Sequence, residues 1–142
     1  MHLVTVLREP RQRMVSYFYY YIEPVSHAAT LDRWLAKDAW QHTLAVEFGL
    51  YNESDLDGFM RDYADKFAFI ALSDRMDDSM VAMALQFGWN LADVTYLRLL
   101  DSHTVRGSTR FDGRPLKPTP ALRDLPPATL AALTKITRLD QV

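Results

Sequence analysis

Cysteine is absent from the 142 residues. That excludes a disulfide framework, a thiolate metal site and a cysteine nucleophile. Glycine is scarce, with five in the chain, and no run of the Walker type occurs, so a glycine-rich phosphate cradle is not encoded. No apolar stretch approaches the roughly 20 residues that cross a bilayer, and no membrane span is expected. The opening run from Met1 to Leu7 lacks both the basic region and the apolar length of a signal peptide. Charge of one sign is missing too: 16 basic residues face 18 acidic ones, a net charge of -2. Nucleic-acid binding through bulk charge is therefore not expected. His2, His27, His42 and His103 have no metal-ligand spacing, so no metal is expected. Neither Ser16 nor Ser79 sits in a nucleophile-elbow context. Internal repeats and low-complexity tracts are absent.

What remains is an ordinary globular composition, 49% hydrophobic and 24% charged. Its length suits one domain of the usual size, and the expectation is a single domain, 1–142, incomplete as a fold. Leu3–Leu7 is rich in β-branched residues and uncharged, and reads as a buried strand of a parallel sheet. Pro10 suits a first helical position. Met14, Val15, Phe18, Tyr21 and Ile22 recur at helical spacing until Pro24. Further helices are expected over Leu31–Lys37 behind Thr30, over Ala39–Phe48, and behind Ser54 with Leu56, Phe59, Met60, Tyr63 and Phe67 as the apolar stripe. Phe67–Leu72 reads as a second strand. A helix from about Asp77 to Phe87 follows, capped by Asp77, with Met80, Val81, Ala84 and Phe87 inward, and Gly88-Trp89 ends it. Residues 93–100 read equally as strand or helix. Residues 101–127 are rich in glycine and proline and read as a long loop, and a last helix runs from about Pro127 to Leu139.

Charge is segregated. Residues 53–78 carry eight acids against three bases, and residues 98–123 carry six bases against two acids. Arg8, Arg11 and Arg13 surround the first strand-to-helix junction. Such a junction offers free backbone N–H groups and the positive end of a helix dipole. Arg8 adds a planar fork of donors, and Ser16 a hydroxyl, with Arg13 one helical turn from Ser16 and Tyr17. The residue types and spacing suit an anion such as a phosphate. They equally suit a solvated basic surface.

The stretch Arg8-Glu9-Pro10, then Arg13, then Ser16-Tyr17 behind an apolar strand resembles the 3′-phosphate-binding motif of PAPS-dependent sulfotransferases, most of all the Golgi-type carbohydrate enzymes. A second stretch, Phe67-Ala68-Phe69-Ile70-Ala71-Leu72-Ser73-Asp74-Arg75-Met76-Asp77-Asp78-Ser79 with Gly88-Trp89 beyond it, resembles the later strand and helix of that family, with Asp74 where glutamate is usual. Residues 133–140 resemble the family's last helix, so the likeness runs over roughly residues 3–140.

The resemblance implies an α/β fold, a partial P-loop-like three-layer sulfotransferase fold that is helix-rich in this chain. It implies that Arg8 and Ser16 hold the 3′-phosphate of PAPS or PAP, supported by Arg13, with Arg106 of Arg106-Gly107 as a further contact. The implied activity is sulfuryl transfer from PAPS to a carbohydrate hydroxyl. The family's Gly/Lys/Thr-rich loop for the 5′-phosphosulfate and its catalytic base have no counterpart here, so this chain by itself is expected to be inactive or weak. Golgi-type relatives are membrane-anchored, whereas bacterial and cytosolic relatives are not. Two other readings stay open: a non-catalytic helical interaction module whose basic loop takes an acidic partner, and a nucleotide-binding regulatory domain. An exposed apolar edge at Leu3–Leu7 would promote self-association.

Overall fold

Two short strands and six α-helices account for most of the regular structure in the computed structural model, which describes residues 3–24, 30–37, 39–64, 66–94 and 119–141. The strands are β1 (Leu3–Leu7) and β2 (Phe67–Leu72). The helices are α1 (Pro10–Tyr17), α2 (Leu31–Lys37), α3 (Leu44–Glu47), α4 (Leu56–Ala64), α5 (Met76–Phe87) and α6 (Pro127–Ile136). The chain is thus α/β in the broad sense: mostly helical, with one small parallel sheet. Residues 95–100, most of the basic 101–127 loop, and Arg106 within it lie outside the described residues. The chain divides into two compact units, one of Met1–Glu9 with Asn52–Leu97 and one of Pro10–Tyr51 with Arg98–Val142.

The first unit is built on the sheet. β1 and β2 run parallel, with Thr5 beside Ile70, Val6 beside Ala71 and Leu7 beside Leu72. The register slips between Leu3 and Val4, which pair with Phe67 and Phe69 and leave Ala68 as the extra residue. The Ala68 carbonyl accepts from Gln86 Nε2 of α5 at 2.6 Å. Successive strand residues face opposite ways. Phe69 meets Phe87 of α5 and Ala71 is buried, whereas Ile70 and Leu72 are exposed. Ser79 of α5 is buried and fastens the strand end: its Oγ accepts from the Leu72 N–H at 2.9 Å and lies 3.3 Å from the Leu72 carbonyl, to which it donates. α5 stops at Gly88, whose φ of 68° is open to glycine at little cost. Asp77 does not cap α5. The helix is entered through a 3-10 turn over Ser73–Arg75 with no side-chain cap, and Asp77 and Asp78 lie in its first turn. Val81, expected inward, is exposed, because the helix turns Ser79 and Ala84 toward the strand instead.

The second unit holds the large side chains of the core. Met14, Val15 and Phe18 of the first helical segment, Leu31, Trp34 and Leu35 of α2, Ala39 and Leu133 of α6 form one buried cluster. Chain packing changes the helix that the spacing suggests over residues 10–22: after Tyr17 it widens into a π-helical turn, Phe18–Ile22. That turn buries Phe18 and sets its ring 5.6 Å from Trp34. The segment expected to be one helix over Ala39–Phe48 is split. A 3-10 turn, Ala39–His42, is followed by Thr43 in extended conformation, which starts α3 afresh. Thr129 Oγ1 of α6 donates to Asp32 of α2 at 2.6 Å and joins those helices.

Candidate functional site

In a parallel sheet both strands deliver their following turns to the same edge, and ligands of α/β folds bind outside that carboxyl edge. Leu7 pairs with Leu72 at the last rung. Arg8-Glu9 and Ser73-Asp74 are therefore the residues next in line on adjacent strands. The Glu9 N–H donates to Asp74 Oδ2 at 3.0 Å, linking the two turns. Arg8 is half-buried, and its side chain takes no part in an ion pair among the described residues. Ser73 Oγ is buried and has no hydrogen-bond partner among the described residues. Arg75 is turned to its own helix and pairs with Asp78 at 2.8 Å on an exposed surface. The edge thus gathers one cation, one buried hydroxyl and one backbone donor, with the Asp74 carboxylate already occupying the last.

Arg8 belongs to the first unit, whereas Arg13 and Ser16 belong to α1 of the second. Ser16 is half-buried. Arg13 is engaged within its own unit. Its Nη2 meets Glu47 Oε2 at 2.6 Å and its Nη1 donates to the His42 carbonyl at 2.6 Å, with the side chain 22% exposed. A guanidinium has donors enough for both partners in one plane, and this pairing fastens α1 to the ends of both parts of the split segment, His42 and Glu47.

Around that pair lies a cluster that spacing did not reveal. The His42 ring stacks on Tyr17 at 4.7 Å and lies 5.9 Å from Trp34, while Tyr17 and Trp34 are 6.0 Å apart. Asp140, from the 3-10 turn Arg138–Gln141, reaches the start of α3, where Oδ2 accepts from Leu44 N–H at 3.1 Å and Oδ1 from Ala45 N–H at 2.7 Å. Burial pushes the Asp140 carboxyl above its ordinary value. The two backbone bonds and the Arg13 charge pull it down, Glu47 pushes it up, and burial prevails. Asp140 is 95 residues or more from the amides it caps, and no local sequence pattern names a partner at that distance. Among the described residues no group of histidines and carboxylates is arranged to hold a metal ion.

No protein-family model, no curated protein and no solved structure matches this chain.

Proposed function

We propose that this chain is the 3′-phosphate-binding portion of a sulfotransferase-like fold, in which a sulfuryl group passes from PAPS to a carbohydrate hydroxyl, and that the chain alone binds adenosine 3′,5′-bisphosphate with little or no transfer. The reading begins from the resemblance of two separate stretches to that family. One observation carries it further: those stretches, Arg8-Glu9-Pro10 and Ser73-Asp74, follow the adjacent ends of two parallel strands and are tied by the Glu9–Asp74 hydrogen bond. That is the edge at which α/β folds take phosphorylated ligands.

The donor set suits a phosphate in kind. Arg8 offers a bidentate fork, and Ser73 holds a buried hydroxyl without a partner among the described residues. Ser16 enters this reading by the resemblance alone. Arg13 supports Arg8 and Ser16 by the resemblance, and its guanidinium also ties α1 to Glu47 and the His42 carbonyl. PAPS supplies the sulfuryl group. The family's Gly/Lys/Thr-rich loop and its catalytic base have no counterpart in the sequence.

The test is calorimetric titration of adenosine 3′,5′-bisphosphate into the full chain, with adenosine 5′-phosphate and the Arg8→Ala variant alongside. Saturable binding, much weaker for the 5′-phosphate and at least about tenfold weaker in Arg8→Ala, is the expected result. Absence of binding to folded protein would overturn the reading and leave the helical interaction module in its place.

A further inference from the structure

The first unit is unfinished. Among the described residues its fully buried hydrophobics are Ala71 and Ala84, while Leu3, Val4, Val6, Ile70, Leu72, Val81 and Leu85 are exposed. A two-stranded sheet rarely stands alone in water. α5 covers β2, but β1 is open: Val4 and Val6 share the sheet face of Phe69 and Ala71 by register and are still 46% and 53% exposed. β1 pairs with β2 on one side, and no strand among the described residues pairs with its other side.

The sequence of this edge names its partner. Leu3-Val4-Thr5-Val6-Leu7 reads the same in both directions about Thr5. When two copies of such a strand meet antiparallel about a two-fold axis through Thr5, every cross-strand pair is a pair of like residues: Thr5 with Thr5, Val4 with Val6, Leu3 with Leu7. Side chains stay on matching faces, because the period of a strand is two. Thr–Thr and β-branched pairs are among the favourable cross-strand neighbours. The strand carries no charge, so a second copy meets no like charge opposite it, and the lysine, proline or inward charge that usually protects an edge is missing.

We infer that β1 is a self-association edge, and that two chains join through it into one four-stranded sheet in the order β2, β1, β1, β2. The contact is isologous and closes on itself, giving a dimer and not a fibre. A five-residue edge is only about 17 Å long, and a strip that short buries far less than the roughly 800 Å² per partner of a tight complex. The pair is therefore weak and forms reversibly with concentration. This inference does not depend on the phosphate reading.

The experiment combines sedimentation with site-specific cross-linking, which the cysteine-free chain makes clean. The full chain is sedimented over a concentration series. Its average mass is expected to rise from that of the 16.4 kDa chain toward twice that value, and Val6→Lys, a change at an exposed position, is expected to abolish the rise. Single cysteines are then oxidised with diamide. Thr5→Cys is expected to link with itself, since directly opposed strand residues lie within disulfide reach in either kind of antiparallel pair. Val4→Cys and Val6→Cys are expected to link as a mixture far better than either alone, with Ser54→Cys as the exposed control. A chain that stays monomeric throughout overturns the inference and leaves the edge to a strand of different sequence. A dimer insensitive to Val6→Lys, or cross-linking that ignores this register, overturns it as well. If Thr5→Cys fails to fold, as seen by circular dichroism, the Val4/Val6 mixture and the wild-type sedimentation decide alone.

Discussion

The backbone N–H of Glu9 donates to the Asp74 carboxylate at 3.0 Å, across 65 residues of sequence. It closes the edge of the sheet just past the last rung, Leu7 with Leu72. The same carboxylate stands where an incoming anion would seek a donor. Asp74 is thus both a clamp on the two turns and a competitor for the ligand proposed above.

Removing that charge separates the two effects. Asp74→Asn is expected to cost about 1 kcal/mol in urea unfolding, the range for an exposed charge-assisted bond that a neutral acceptor partly replaces. It is expected to tighten adenosine 3′,5′-bisphosphate binding while Arg8→Ala weakens it. Weaker binding in Asp74→Asn, with folding intact, would place the phosphate elsewhere.

Arg13 is expected to matter for stability more than for ligand. Arg13→Ala removes the partner of Glu47 and a donor to the His42 carbonyl, at about 2 kcal/mol for two charge-assisted bonds on a partly buried side chain. Arg13→Lys keeps the charge without the fork and is expected to recover only part of the loss. Affinity for adenosine 3′,5′-bisphosphate measured on the folded fraction should stay near wild type. A large affinity loss would give Arg13 a direct contact.

Asp140 gives the second unit a signed pH dependence. Burial raises its folded carboxyl above the unfolded value. The folded state therefore holds its proton more tightly, and this contribution is full below the unfolded value and is lost as pH rises through the folded one. The stability difference between wild type and Asp140→Asn should shift against wild type as pH climbs from about 4. Chemical unfolding of both chains at a series of pH values reads this, and a difference that stays flat or moves the other way would contradict it.

Ser79 tests how the strand end is held. Ser79→Ala strips the Leu72 N–H and carbonyl of their side-chain partner in a buried position. The expected cost is about 1–3 kcal/mol, the range for backbone groups left unpaired. Leu85→Ala on the same helix, at a side chain 70% exposed, should change stability by less than about 0.5 kcal/mol. Equal effects of the two would mean that α5 packs through its other face.

The two units should respond differently to truncation as well. Leu133→Ala, at a fully buried position of the second unit, is expected to cost about 2–5 kcal/mol. Val4→Ala in the first unit, at an exposed site, should cost far less in the monomer. Thermal melts at low concentration make the comparison.

Local chemistry alone determined several of the regular elements. Leu3–Leu7 and Phe67–Leu72 are short apolar runs bounded by polar turns, and both are strands over those residues. Pro10 begins α1, Gly88 ends α5, and Pro127 begins α6, because the fixed φ of proline and the left-handed freedom of glycine act within one residue. The palindrome of β1 is likewise a property of five consecutive residues. Tertiary packing decided the rest. The π-helical turn at Phe18–Ile22 follows from seating Phe18 among α2 and α6 side chains, which a helical period cannot express. Whether Val81 or Ser79 faces the strand depended on the helix's rotation about its axis, and Ser79 won by satisfying both backbone groups of Leu72. The sequence marked Arg8 and Arg13 alike as basic residues near a helix start. Only the fold gave Arg13 to Glu47 and His42, set Asp140 on the amides of α3, and brought Asp74 to Glu9. Those bonds join residues far apart in the chain, and no local pattern fixes which distant donor a carboxylate will find.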